Sequence, residues 1–193
     1  MEEGAELPQG DTKLMNIFYL NEQPQPCAEL HCDKHVVKMI IEYAQLLSTC
    51  HRVLDGKEYY DKTANGRRIK RWRMDDPHME SSLYKASHVN HPSNIWARSS
   101  VQNYQFLLQL WQQLCYEYTY RYGKVHLTFQ KLKDVVTEVP QNIPNKRFTQ
   151  PTQAMPDDCK SDCSLEAYHK YYRLYKKDFA KWTNREVPQF MSA

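Results

Sequence analysis

The densest run of side chains able to move protons or ligate a metal is His31-Cys32-Asp33-Lys34-His35, with Glu42 seven residues beyond His35. On a helix, His31 and His35 fall one turn apart on one face, and Glu42 returns to roughly that face two turns further on. A histidine and a carboxylate aligned in this way serve as general acid and base, or as two metal ligands. The pattern H-E-x-x-H is absent, so a metal-dependent hydrolase built on His31, His35 and Glu42 would have to recruit His88 or His91 through the fold. The competing reading is a half-buried polar seam between helices, because structural ion-pair networks imitate sites.

Two further clusters bear on ligands. His88-Val89-Asn90-His91-Pro92-Ser93-Asn94 leads into Trp96 and Arg98. A helix starting there presents unpaired N–H groups to a phosphate, with Arg98 one turn in, or is simply a well-made helix start. Arg67-Arg68-Ile69-Lys70-Arg71-Trp72-Arg73 holds five cations in seven residues. Cations displace counterions from phosphates and Trp72 can stack on an exposed base, although such runs are commonly a solvated face. Neither G-x-x-x-x-G-K nor G-x-G-x-x-G occurs, which argues against nucleoside-triphosphate and dinucleotide chemistry.

The elements that must position these residues are helices. With 193 residues, 41% of them hydrophobic, and a net charge of +3, the chain fits one domain with a real core. Disordered, collagen-like and membrane-spanning classes are excluded by composition. Residues 1–14 lack the basic start and apolar stretch of a signal peptide, so they read as a loose tail before a domain over 15–193. A cytoplasmic protein is expected, within the host if the chain is phage-encoded. The six cysteines fall in apolar or helical patterns or, at Cys159 and Cys163, lack the two-residue spacing of zinc knuckles, so reduced thiols are expected.

The apolar run 16–20 is a strand or an extended segment laid across helices. One long helix is expected from about Pro26 to Val53, with Val36, Ile40, Tyr43 and Leu47 as its buried stripe. A second runs from Ser93 to just before Gly123. After a short piece at 127–136, prolines 140, 144, 151 and 156 predict a long wrapping loop. A last helix, 164–182, carries Tyr168, Tyr172, Tyr175 and Phe179 on one face and Lys170, Arg173, Lys176, Lys177 and Lys181 on the other. The expected fold class is all-α: one compact domain of three or more long amphipathic helices.

Asp33-Lys34-His35 with Glu42, then His91, Trp96 and Arg98, then Tyr168-His169-Lys170-Tyr171-Tyr172, resemble in their order the elements of the phage pyrimidine-dimer DNA glycosylase family, which is endonuclease V-like. Asn90-His91-Pro92-Ser93, Arg121-Tyr122-Gly123-Lys124 and Phe179-Ala180-Lys181-Trp182 resemble, more closely, a group of phage-encoded proteins of unassigned function. The glycosylase resemblance implies that Glu42 is the catalytic carboxylate beside the sugar of the damaged nucleotide, that His35 sits near the DNA, and that Tyr168 to Tyr172 form an aromatic, basic strip near the duplex. It also implies an all-helical fold needing no metal or cofactor. That family attacks the sugar with the α-amino group exposed by Met removal, whereas fourteen residues here precede Met15. Lys34 or Lys38 would then supply the amine, since a desolvated lysine forms a Schiff base.

The leading expectation is therefore a DNA glycosylase/lyase-like enzyme of DNA repair or modification. It would work on a damaged or modified base in double-stranded DNA, with Glu42, His35, Lys34 and Lys38 as the catalytic group. Arg67, Arg68, Lys70, Arg71, Trp72, Arg73, His91, Arg98 and Lys170 would bind the nucleic acid. A non-catalytic nucleic-acid-binding or host-takeover protein is the first alternative, and the His/Glu hydrolase the second. No membrane partner is expected, and the oligomeric state is left open.

Overall fold

Six consecutive residues, Met15 to Leu20, run extended through the hydrophobic core, and every one of them is buried. Buried amides and carbonyls need partners, and here side chains rather than a neighbouring strand supply them. The Phe18 N–H donates to the Tyr43 hydroxyl at 3.0 Å, Ser93 Oγ donates to the Met15 carbonyl at 2.6 Å, and His169 Nε2 donates to the Leu20 carbonyl at 2.8 Å. The computed structural model describes residues 15–193; the expected tail at 1–14 lies outside the described residues.

Around this segment the chain is helix-rich, but it is not all-α. Helices α1 (Pro24–Leu30) and α2 (Asp33–Asp55) are followed by a hairpin of β1 (Lys57–Lys62) and β2 (Arg68–Arg73). Then come α3 (Pro77–Ser82), α4 (Pro92–Arg98), α5 (Val101–Tyr122), α6 (Leu127–Leu132) and α7 (Ser164–Tyr171). The hairpin pairs antiparallel, with Lys57 opposite Arg73 and Lys62 opposite Arg68. Its turn uses Gly66 at φ +76°, a conformation that favours glycine. The signal for it was Asn65-Gly66 between two runs of strand-compatible residues.

Each of the three long helices expected is shorter or broken. The first divides at His31-Cys32, where Cys32 is extended and its N–H reaches the Tyr172 hydroxyl. The second divides at Ser99-Ser100, because Ser100 caps α5 and also donates to the carbonyls of Lys146 and Arg147. The third stops at Tyr171, passes through one π-helical turn, Tyr172–Lys176, and then unwinds. What stops it is tertiary: Trp182 Nε1 donates to the Leu30 carbonyl, the Asp33 N–H to the Lys181 carbonyl, and the Asp33 carboxylate accepts both the N–H and the hydroxyl of Thr183. A continuing helix would not present residues 181–183 to α1 and α2 in that order.

The proline-rich loop wraps as expected, held by Asn103 and Gln102 of α5, whose side-chain oxygens accept the Thr149 and Phe148 amides. Gly123 ends α5 in the left-handed region at φ +70°. Among the described residues no helix is long and apolar enough to cross a membrane.

Candidate functional site

Residues His35, Lys38 and Glu42 lie along one side of α2 as their spacing requires, but they are not equally accessible. His35 is buried, with its ring stacked on Phe18 at 4.1 Å and Nδ1 2.6 Å from the Tyr172 hydroxyl. Burial holds its pKa well below the ordinary 6.5, and the charges of His31, Lys176, Lys38 and Lys34 push it the same way. It is therefore a neutral ring at neutral pH, placed behind the surface rather than on it. Glu42 is at the surface and only partly exposed, 3.5 Å from the Lys38 ammonium one turn away. Lys34 lies over the ring of Phe179 at 4.5 Å.

The π-helical turn corrects the place expected for Lys176, which the spacing put on the basic face opposite the tyrosines and which the turn buries. Lys176 is 2% exposed, with its ammonium 4.5 Å from the centre of the Tyr171 ring. Single π turns recur at functional sites because they re-aim one side chain within a helix. Glu42, Tyr171 and Lys176 are all engaged with partners. The result is one carboxylate in a field of ammoniums that also reaches His35, with exposed Val37 and Ile41 beside it.

His31 does not join them. Its Nδ1 donates to the Cys27 carbonyl at 2.7 Å, so Nε2 accepts the Tyr43 hydroxyl at 2.8 Å, and burial lowers its pKa to about 4. Both ring nitrogens are thus used in the core. Among the described residues no group of three His, Cys, Asp or Glu side chains is placed to hold a metal ion, which removes the ligand set of the hydrolase reading. The tyrosine strip expected near a duplex is also corrected: Tyr168, Tyr171 and Tyr172 are buried.

The basic run is a strand, so alternation divides it between two faces. Arg68 lies over Tyr60 at 3.7 Å, Lys70 pairs with Glu58 at 3.0 Å, and Arg73 lies over Tyr59 at 4.6 Å. Arg67 is exposed in the turn, its N–H held by Thr63 Oγ1. Arg71 Nη1 donates to the Ala86 carbonyl at 3.0 Å. Trp72 is buried, packed so closely on the end of α2 that a Cβ at Gly56 would stand 3.1 Å from the Trp72 Cβ and 2.5 Å from the Arg52 carbonyl oxygen.

A cleft of about 490 Å³ opens beside this strand, lined by Ile69, Lys70 and Trp72 of β2, by the 86–90 loop, by Arg98 and by Val53. Arg52 anchors the strand that lines it: the buried guanidinium donates to the carbonyls of Trp72, Glu80, Leu83 and Tyr84 and to the Glu80 carboxylate at 2.7 Å. Asn94 of α4 holds the loop by donating to the Ser87 and His88 carbonyls. The fold thus joins Arg98 and His88 to Lys70 and Trp72. His91 is not with them; its Nδ1 accepts the Ser93 N–H, so the ring caps the start of α4. Lys170 is elsewhere too, donating to the Asp158 carbonyl. Glu42 and Val53 stand eleven residues apart on α2, near the same face and, at 1.5 Å per residue, about 16 Å along the axis.

No family model matches the chain, and no curated protein or solved structure matches it either.

Proposed function

We propose that the protein acts on double-stranded DNA and severs the bond between a damaged or modified base and its sugar, with Glu42 as the catalytic carboxylate. The observation that carries this reading is the setting of Glu42. It is a partly exposed carboxylate 3.5 Å from the Lys38 ammonium, on the side of α2 where Lys34, Lys38 and Lys176 all bear on His35. Ammoniums draw in a polyanion, and a carboxylate paired with one of them stabilises positive charge developing on the sugar. Lys38 is the better placed of the two candidate amines, because Lys34 is turned onto Phe179. Its nitrogen, once deprotonated, bonds to C1′ as the bond to the base breaks, and the base departs with the electron pair and takes up a proton. The sugar ring then opens, O4′ leaving C1′ with its electron pair and taking up the proton the nitrogen gives up, so that a C1′=N imine forms. His35 serves as a neutral positioning residue in this scheme.

Borohydride trapping on DNA carrying damaged or modified bases tests it. A covalent adduct that disappears in Glu42→Gln is the expected result. No adduct from the unaltered protein, together with unchanged processing in Glu42→Gln, overturns it.

A second reading, nucleic-acid binding without catalysis, is favoured by the Arg98 cleft, which requires no nucleophile. It predicts DNA binding that weakens steeply with salt while every base stays attached.

A further inference from the structure

Of the cavities on the surface, the one beside β2 differs in kind from the others. The groove of about 530 Å³ between α1 and α5 is lined by glutamines, prolines and Glu29, with no cation. The pocket of about 390 Å³ around Cys159 has cations, but it also holds Glu166, and Lys160 is paired with Asp157 while Lys170 and Arg173 donate to the Asp158 and Phe190 carbonyls. The cleft beside β2 carries Lys70, His88 and Arg98 and no acidic lining residue. Lys70 is drawn toward Glu58, whereas one guanidinium nitrogen of Arg98, Nη1, is buried with no hydrogen-bond partner among the described residues. That nitrogen is closed to solvent, so an anion in the cleft offsets the buried charge of the guanidinium as a whole without bonding Nη1. Burial also disfavours the charge of Arg98 itself, lowering its pKa from the ordinary value. Ile69, Trp72 and Val89 add apolar lining to the same cleft, with the Lys70 ammonium 5.6 Å from the centre of the Trp72 ring. The 86–90 loop is held by Asn94 and includes His88 at φ +48°, a conformation uncommon outside glycine.

We propose that this cleft binds a nucleotide by its phosphate, with Arg98 as the principal anion ligand and Ile69, Trp72 and Val89 as the wall against which the rest of the nucleotide lies. The volume suits a ligand of that size. The ligand class rests on the nucleic-acid reading above, while the place rests on the cavity alone and owes nothing to Glu42. A free nucleotide and a nucleotide within a strand present the same phosphate.

Calorimetric titration of the full chain with dTMP, inorganic phosphate and a short oligothymidylate tests the site and separates its two sources. Binding of dTMP more tightly than inorganic phosphate is expected, weakened at least about tenfold in Arg98→Met. Binding of the oligonucleotide with no dTMP binding, and the same sensitivity to Arg98→Met, assigns the site to nucleotides within a strand. Should Arg98→Met fail to fold, Val89→Trp fills the cleft from its loop and is expected to abolish binding without moving the unfolding midpoint. Absence of binding to all three probes, equal affinity for dTMP and inorganic phosphate, or wild-type affinity in a folded Arg98→Met or Val89→Trp overturns the proposal. Glu42→Gln leaves this binding unchanged; if the unaltered protein binds dTMP yet gives no borohydride adduct, the catalytic reading fails and the cleft stands.

Discussion

The Tyr172 hydroxyl stands 2.6 Å from His35 Nδ1 and 3.3 Å from the Cys32 N–H, tying the π-helical turn to the first turn of α2. The hydroxyl accepts the Cys32 amide and shares a second hydrogen bond with His35 Nδ1. Residues 137 apart in the chain are thereby set against each other beside Glu42 and Lys176.

Tyr172→Phe removes that hydroxyl and leaves two buried polar groups short of a partner. A stability loss of about 1–3 kcal/mol is expected from urea unfolding. An unchanged midpoint would mean that the bond contributes nothing.

Arg52→Met withdraws a buried guanidinium that holds the end of β2 and the 80–84 segment, and strands the Glu80 carboxylate that it pairs. Each buried carbonyl left without its donor costs about 1–3 kcal/mol. Hydrogen exchange should quicken in the hairpin and the 80–84 segment first, while the amides of α5 keep their relative protection.

Acid should unfold the protein through its histidines. Burial lowers both His31 and His51 to about 4, whereas unfolded histidines titrate near 6.5. Between those values the unfolded chain binds more protons than the native one. Stability is therefore fully present above about pH 6.5 and is lost as pH falls toward 4, by up to about 1.4 kcal/mol per pH unit for each group. Urea unfolding at a series of pH values measures the slope, and His51→Phe should make it shallower.

The Asp33–Arg121–Glu117–Arg185 cluster should weaken at still lower pH. Burial alone would raise both carboxyls, but it is outweighed at Asp33 by Thr183 and Arg121 and at Glu117 by Arg185 and Arg121, so both pKa values lie below their ordinary ones. These contributions are present above the unfolded carboxylate range and disappear as pH falls through the folded values. Asp33→Asn should loosen residues 181–185 first, read as faster exchange at Thr183 and Arg185.

Lys38→Met and Lys34→Met separate the two candidate amines. Loss of the borohydride adduct in Lys38→Met and its retention in Lys34→Met is the expected pattern; the reverse would reassign the nucleophile.

Local chemistry was legible in the chain itself. The stripe Val36, Ile40, Tyr43 and Leu47 is fully buried, Gly123 ends α5, and His35 and Glu42 share a helix side, because helical periodicity and the conformational freedom of glycine act over a few residues. The hairpin was also legible in Asn65-Gly66, but five cations in seven residues masked the alternation that makes them a strand. What tertiary structure alone decided is where helices stop and which groups become neighbours. Leu30 and Asp33 bond residues at 181–183, Arg52 pulls β2 down beside Arg98, and Tyr172 holds His35. Buried polar groups must find partners wherever the chain brings them, and that requirement, joined at Ser100 by a local helix cap, interrupted the long helices.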